Sequence, residues 1–142
     1  MNDNMQTTKS IPISEFPPIQ NIEFEMRRTQ KVTSDLFNRF RSANNTNELE
    51  YALNALDGYC YVPNKQRLWL GRYVRYLSLK NPQNIKLGLG GFVVSDNGYT
   101  VTLRQGDDRI IHVRKNHNHV FFMVMIDKDV SRIQVQNIMN HI

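Results

Sequence analysis

The chain has 142 residues, of which 40% are hydrophobic and 22% are charged, and its formal net charge is +5. This length suffices for one domain with a sizeable core and is too short for two ordinary domains. The sequence has no apolar run of the roughly 20 residues that a membrane span needs, no signal-peptide pattern and only one cysteine, so we expect a soluble intracellular protein that contacts no membrane and has no internal disulfide.

The first part of the chain predicts an arm followed by helices. Residues 1–20 contain three prolines among polar residues, which indicates an extended or disordered N-terminal arm. We place a single α+β domain at residues 21–142. Within about residues 21–57, apolar side chains recur at helical spacing, with a break at residues 42–46 and Gly58 after the second stretch. This pattern predicts two helices.

After the helices the apolar period changes from 3.6 residues toward two. Short segments bounded by turn residues follow one another, and Asn97-Gly98 is typical of a tight hairpin turn with positive φ angles. Five or six antiparallel strands within about residues 59–126 predict a small β-barrel or curled sheet of the SH3-like or OB-like kind. We expect the N-terminal helices to pack on this sheet.

Residues 129–142 fit two patterns. Their apolar residues fit a helix that lasts to the end of the chain, whereas Ile133 and Val135 alternate with polar residues as in a strand. Because Ser131 and Gln134 resemble a capping pair, we predict a C-terminal helix.

The positive charge is concentrated in the predicted sheet. Residues 60–115 hold ten basic residues against three acidic ones, a net charge of +7, whereas residues 1–59 hold six against eight, a net charge of −2. An anionic partner would therefore be drawn to the sheet. The alternative is that such an excess serves solubility alone.

The segment Arg67–Leu77 interleaves arginine and aromatic residues at nearly the alternating spacing of a strand. Guanidinium groups bind phosphates, and aromatic rings stack on bases. Alternation places Arg72 and Tyr76 on one face and Tyr73 and Arg75 on the other, and only one of these pairs is expected on an open face. The alternative is that the arginines merely cover partly buried rings by cation–π contact.

Candidate nucleic-acid-binding residues are the arginines of the predicted sheet and the aromatic residues beside them. They are Arg67, Trp69, Arg72, Tyr73, Arg75, Tyr76, Arg104, Arg109 and Arg114.

No motif indicates catalysis, a cofactor or a metal. Residues 88–91, Gly-Leu-Gly-Gly, lack the Lys-Ser/Thr of a phosphate loop and lead into a strand, so we interpret them as a bend or bulge. His112, His117 and His119 do not form a recognised zinc spacing with Cys60. The sequence also has no known nucleophile motif. We therefore predict a protein that is not an enzyme and that needs no cofactor or metal.

Five short strand motifs follow one another in the order Gly71–Tyr76, Gly90–Val94, Tyr99–Leu103, Ile111–Val113 and Val120–Phe122. Over about residues 68–123 they resemble a small β-rich segment of uncharacterised proteins from large nucleocytoplasmic DNA viruses. The resemblance implies a viral protein in a virion or virus-factory setting with no known activity, so it transfers no functional residue.

Two functions remain open from the sequence. The first is a non-enzymatic module that binds nucleic acid, DNA or RNA, through the phosphate backbone without sequence specificity. The second is a small structural or assembly protein, such as a virion component, that contacts other proteins or further copies of itself. The second prediction depends on two segments that could contact neighbouring subunits, the N-terminal arm and Val120–Ile126. The latter run is apolar on both faces and must be covered by the protein's own helices or by a partner.

Overall fold

The computed structural model describes residues 19–41, 46–126 and Asp129. In these ranges two helices, α1 (Ile22–Phe40) and α2 (Thr46–Ala55), precede seven strands. The strands are β1 (Tyr59–Val62), β2 (Tyr73–Ser78), β3 (Lys86–Leu87), β4 (Gly91–Asp96), β5 (Thr100–Gln105), β6 (Arg109–Arg114) and β7 (His119–Val124). The predicted α+β class with an antiparallel sheet is confirmed.

Helix α1 covers the edge strand β1. Asn21 Oδ1 accepts a hydrogen bond from the Phe24 N–H at 3.1 Å and caps the start of the helix. Farther along, Thr29 Oγ1 accepts from the Tyr61 N–H at 2.7 Å, and Arg28 Nη2 donates to the Tyr61 carbonyl at 3.4 Å. These bonds satisfy backbone groups of an edge strand that would otherwise be available to another chain.

The sheet is open, with the strand order β1-β7-β2-β4-β5-β6 and with β3 beside β2. Strand β7 inserts between β1 and β2, while β4, β5 and β6 extend away on the other side of β2. Among the described strands, β1 and β6 therefore end up at opposite edges and do not pair. The sequence predicts a small β-barrel or a curled sheet of the SH3-like or OB-like kind. The sheet is not closed, so the barrel alternative is wrong, because closure requires the first and last strands to meet.

The glycines between β3 and β4 mark a close approach of two backbones. The Gly88 N–H donates to the Tyr76 carbonyl at 2.8 Å, and Gly90 has a φ of +76°. A Cβ atom on Gly90 would lie 1.9 Å from the Val74 carbonyl oxygen. Only glycine leaves room for β2 here, which fits the bend or bulge that the sequence predicts.

The two faces of the sheet bury different residues. The face that we call face A is defined by Cys60, Val62, Val74, Val93, Val101, Leu103, Val113, Phe121 and Met123. On the opposite face, face B, Leu77 and Phe122 pack with Leu36 of α1 and Leu49 of α2. The helices lie over the part of face B formed by β1, β7, β3 and the Leu77 end of β2, and the first turns of α1 also reach face A through Ile22 and Met26.

Strand β7 carries the apolar run that the sequence singled out. Phe121, Phe122 and Met123 are all buried, the first and third on face A and the second on face B. Strand β7 lies inside the sheet between β1 and β2, and the protein's own core covers both of its faces. This coverage explains why the strand is apolar on both faces.

Cys60 gives a direct measure of how tightly face A is closed. Its side chain is buried, and burial raises the pKa of its thiol to about 12. Because the thiolate is the reactive form and the native thiol is buried and protonated, we expect a disulfide reagent at about pH 8 to label native protein at least roughly 100-fold more slowly than protein in concentrated guanidinium chloride. Equal labelling rates would show that face A is not closed.

Parts of the predicted organisation lie outside the described residues. The N-terminal arm, residues 1–20, falls there except for Ile19 and Gln20, and the C-terminal helix, residues 129–142, falls there except for Asp129. In the described ranges, neither helix has the length and apolarity needed to cross a membrane.

Candidate nucleic-acid interface

The half of face B that belongs to β4, β5 and β6 exposes its side chains. Strand register places Tyr73 opposite Phe92, Phe92 opposite Arg104 and Arg104 opposite Ile110. These four residues form one row across four neighbouring strands. We call the open surface around this row the platform, and it consists of Tyr73, Arg75, Phe92, Arg104, Ile110, His112 and Arg114.

The centre of the row is an aromatic pair. The rings of Tyr73 and Phe92 meet edge to face, with centroids 5.1 Å apart and an interplanar angle of 77°. Phe92 is 42% exposed, and Ile110, at the far end of the row, is 47% exposed. Exposed aromatic surface of this kind is available to stack on the ring of a ligand.

Arg75 and Tyr73 are both anchored to the segment of residues 88–90. Arg75 Nε donates to the Gly88 carbonyl at 3.1 Å, and the Tyr73 hydroxyl donates to the Leu89 carbonyl at 2.6 Å. Tyr59 of β1 lies beside Arg75: burial raises the pKa of the Tyr59 phenol, and the neighbouring guanidinium partly opposes this effect. Arg75 is therefore a positioned cation whose donors are already partly engaged.

Arg104 and Arg114 extend the positive charge away from the aromatic pair. Arg104 of β5 lies between Phe92 and Ile110 in the row, and Arg114 of β6 lies opposite Thr100. Arg104 is half-buried and Arg114 is exposed. The platform thus combines three guanidinium groups with an exposed ring.

His112 stands on the same face between the two arginines. Its Nδ1 lies 3.0 Å from Thr102 Oγ1, which is its cross-strand neighbour. Among the residues that the structure describes, no three His, Cys, Asp or Glu side chains come together as metal ligands would. His112 therefore contributes an exposed polar ring to the platform.

Arg72 is a core residue, and we correct its place among the nucleic-acid-binding candidates. Its side chain is fully buried, and its Nη2 atom lies 2.7 Å from Asp129 Oδ2. The ring of Trp69 lies 4.7 Å from the guanidinium carbon and packs against face A. The Arg72 guanidinium has no access to a phosphate, because the ion pair and the indole enclose it.

The remaining candidates lie away from the platform. Tyr76 belongs to face A, where its ring packs against Phe121 at 6.1 Å and His119 at 5.7 Å. Arg67 is exposed in the loop before β2 and donates to the Asp96 carbonyl at 2.7 Å. Arg109 is exposed at the start of β6, opposite Gln105 and in the register of face A. Of the nine candidates, the structure brings together Tyr73, Arg75, Arg104 and Arg114 on the platform.

A buried ion pair fixes the hairpin that carries the platform. Asp96 Oδ2 accepts from Lys115 Nζ at 2.6 Å and from the Leu68 N–H at 2.8 Å, and each side chain of the pair is 2% exposed. Burial alone would raise the pKa of Asp96, but the hydrogen bonds from Lys115, Leu68 and Gly98 outweigh it and lower that pKa. The charges of Lys115 and Asp96 thus neutralise each other inside the protein, and Asp96 adds no negative charge to the platform.

Sequence reasoning missed Phe92, whose ring is exposed on the platform. It lies in Gly91-Phe92-Val93-Val94, an apolar run that resembles a wholly buried strand. The available signal was alternation: once Val93 faces the core, Phe92 must face away from it.

Comparison with protein-family models, with curated proteins and with solved structures finds no match for this chain. The resemblance to the viral β-rich segment therefore stays a prediction.

Proposed function

We propose that the protein is a non-enzymatic module that binds nucleic acid through the phosphate backbone, without sequence specificity, and that the platform is its contact surface. The observation that carries this proposal is the row in which Arg104 stands directly beside the exposed ring of Phe92. A phosphate ligand and a stacking surface next to each other are the two elements that non-specific nucleic-acid binders combine.

The charge of the platform supports the same function. Strands β2, β4, β5 and β6 contain one acidic residue, Asp96, and that carboxylate is buried against Lys115. Arg75, Arg104 and Arg114 therefore stand on a face to which these strands add no competing carboxylate. A polyanion gains from such a face by releasing its condensed counterions.

The test is a titration of labelled single-stranded DNA, single-stranded RNA and duplex DNA at two or more salt concentrations. For the double variant R104Q/R114Q we expect a plot of log K against log salt that is shallower by about 2, since each lost phosphate contact removes about 1 from the slope. The matched control is R27Q/K31Q, which removes the same charge from exposed positions on α1. It should leave the slope within experimental error of the unsubstituted protein.

Two outcomes would contradict the proposal. Absence of binding to every probe at low salt would refute it outright. An equal loss of slope in both double variants would show attraction by net charge alone and would remove the platform as the contact surface.

A second candidate function is a structural or assembly role, and the exposed apolar residues favour it. Phe92 and Ile110 stand in one row, and Leu89 nearby is 72% exposed. Neighbouring exposed apolar side chains are typical of protein–protein interfaces. Light scattering of the purified protein would then show an oligomer that F92S/I110S converts to a monomer, whereas a monomer at all concentrations would contradict self-assembly.

A further inference from the structure

We infer that the nucleic acid taken by the platform is single-stranded, with an unpaired base stacked on the ring of Phe92. This inference rests on the proposed function and adds to it the class of ligand.

The Phe92 ring is held in place before any ligand arrives. Its edge-to-face contact with Tyr73 has a centroid distance of 5.1 Å, and the Tyr73 hydroxyl is fixed to the Leu89 carbonyl at 2.6 Å. A ring that is already ordered loses little conformational freedom when a base stacks on it. The aromatic pair is thus a preorganised stacking surface.

Arg104 is placed to bind the phosphate of the stacked nucleotide. It is the cross-strand neighbour of Phe92, and neighbouring strands lie about 4.8 Å apart. On the other side of Arg104 is Ile110, which offers a second exposed apolar surface in the same row. Base, phosphate and a further apolar contact therefore follow one another along a single line across the sheet.

A duplex would not use this arrangement. In double-stranded nucleic acid the faces of the bases are stacked on one another, and proteins reach their edges by inserting a helix, a β-ribbon or an arm into a groove. The row lies on the face of a sheet. A duplex on this face would contact the arginines, but it would bring its charged backbone, and not the faces of its bases, against the exposed rings of the platform. Single strands, in contrast, present unstacked base faces to aromatic side chains.

The experiment compares fluorescein-labelled oligo(dT) with the same strand annealed to oligo(dA) at one low salt concentration, using variant F92L. We expect the unsubstituted protein to prefer oligo(dT), and F92L to bind oligo(dT) roughly 5- to 100-fold more weakly with an unchanged salt slope. Duplex binding should not respond to F92L. The matched control is Y99L, which removes an aromatic ring of 76% exposure from the hairpin tip outside the row and should bind as the unsubstituted protein does.

Failure of this inference differs from failure of the proposed function. If oligo(dT) and duplex bind equally, F92L has no effect and R104Q/R114Q weakens both, the platform binds phosphates only and the inference is overturned while the function stands. If no probe binds at low salt, both are overturned. Thermal melts of F92L and Y99L verify folding, which we expect to persist because both side chains are exposed.

Discussion

Replacing Arg72 by methionine is expected to lower the free energy of unfolding by about 3–5 kcal/mol. Arg72 Nη2 lies 2.7 Å from Asp129 Oδ2, and both side chains are fully buried. The same carboxylate accepts from the N–H groups of Ile19 at 2.9 Å and Ile126 at 3.1 Å. Without the guanidinium, a buried carboxylate would lose its counter-charge at the point where it joins distant parts of the chain. Chemical denaturation, monitored by circular dichroism, measures the loss in the free energy of unfolding.

Two further variants separate the ion pair from simple packing. In R72M/D129N both charges are gone and an oxygen remains to accept from Ile19 or Ile126, so we expect this double variant to be more stable than R72M by at least about 1 kcal/mol. R72K keeps the charge but lacks the planar group that contacts Trp69, so its loss should be smaller than that of R72M. A loss below about 1 kcal/mol in R72M would show that the pair contributes little.

The same variants examine the corrected role of Arg72. Because its side chain is fully buried, R72M/D129N, in which the positive charge at residue 72 is gone, should bind nucleic acid with the salt slope of the unsubstituted protein at temperatures where it remains folded. A slope that is shallower by about 1 would return Arg72 to the phosphate-binding residues.

Strand alternation along Arg67–Leu77 was enough to predict which side chains of β2 share a face. It could not tell which face is open. That distinction depends on Asp129, which is 57 residues from Arg72 in the chain, and on α1 and α2, which pack over Leu77. Local periodicity gives the orientation of side chains relative to one another, whereas burial depends on contacts that are remote in sequence.

The barrel expectation failed for a related reason. Strand β7 pairs with both β1 and β2, so the last described strand lies between the first two. A closed barrel and this open strand order have the same local pattern of short strands and turns. The alternation of apolar and polar residues does not determine which strands pair with each other. The open order is also what leaves a half of face B exposed.

The Asn97-Gly98 hairpin between β4 and β5 shows how far turn chemistry can be predicted. The turn is where the sequence places it, and Gly98 has a φ of +92°. The tight two-residue turn expected from the sequence requires a positive φ at both Asn97 and Gly98. Asn97 does not have a positive φ. Its side chain instead accepts from the N–H groups of Tyr99 and Thr100, both through Oδ1, which makes a longer turn.

Replacing Gly90 by alanine is expected to destabilise the protein by about 2–5 kcal/mol, the sum of about 1–2 kcal/mol for a side chain at positive φ and about 1–3 kcal/mol for overpacking. The new Cβ would meet the Val74 carbonyl oxygen at 1.9 Å and the Arg75 Cα atom at 2.9 Å, and both are backbone atoms that no rotamer change can move. Strands β2 and β4 would have to separate. Thermal and chemical denaturation of G90A measure the effect.

Gly106 supplies the control that isolates the steric part. It also has a positive φ, +68°, but a Cβ there would meet nothing within 4 Å. G106A should therefore lose only about 1–2 kcal/mol, the cost of the backbone angle. Equal losses in G90A and G106A would contradict the close approach of β2 and β4.

G90A should also weaken nucleic-acid binding at temperatures where it remains folded, and G106A should not. The Gly90 carbonyl accepts from Gln105 Nε2 at 2.5 Å, and the carbonyls of the two preceding residues hold Arg75 and Tyr73. Moving this segment releases the anchors of the aromatic pair, so base stacking would lose its preorganisation while Arg104 and Arg114 stay in place. We accordingly expect G90A to reduce affinity for oligo(dT) with little change in salt slope, the same pattern as F92L. A loss of slope instead would mean that the glycine segment positions phosphate contacts rather than the stacking ring.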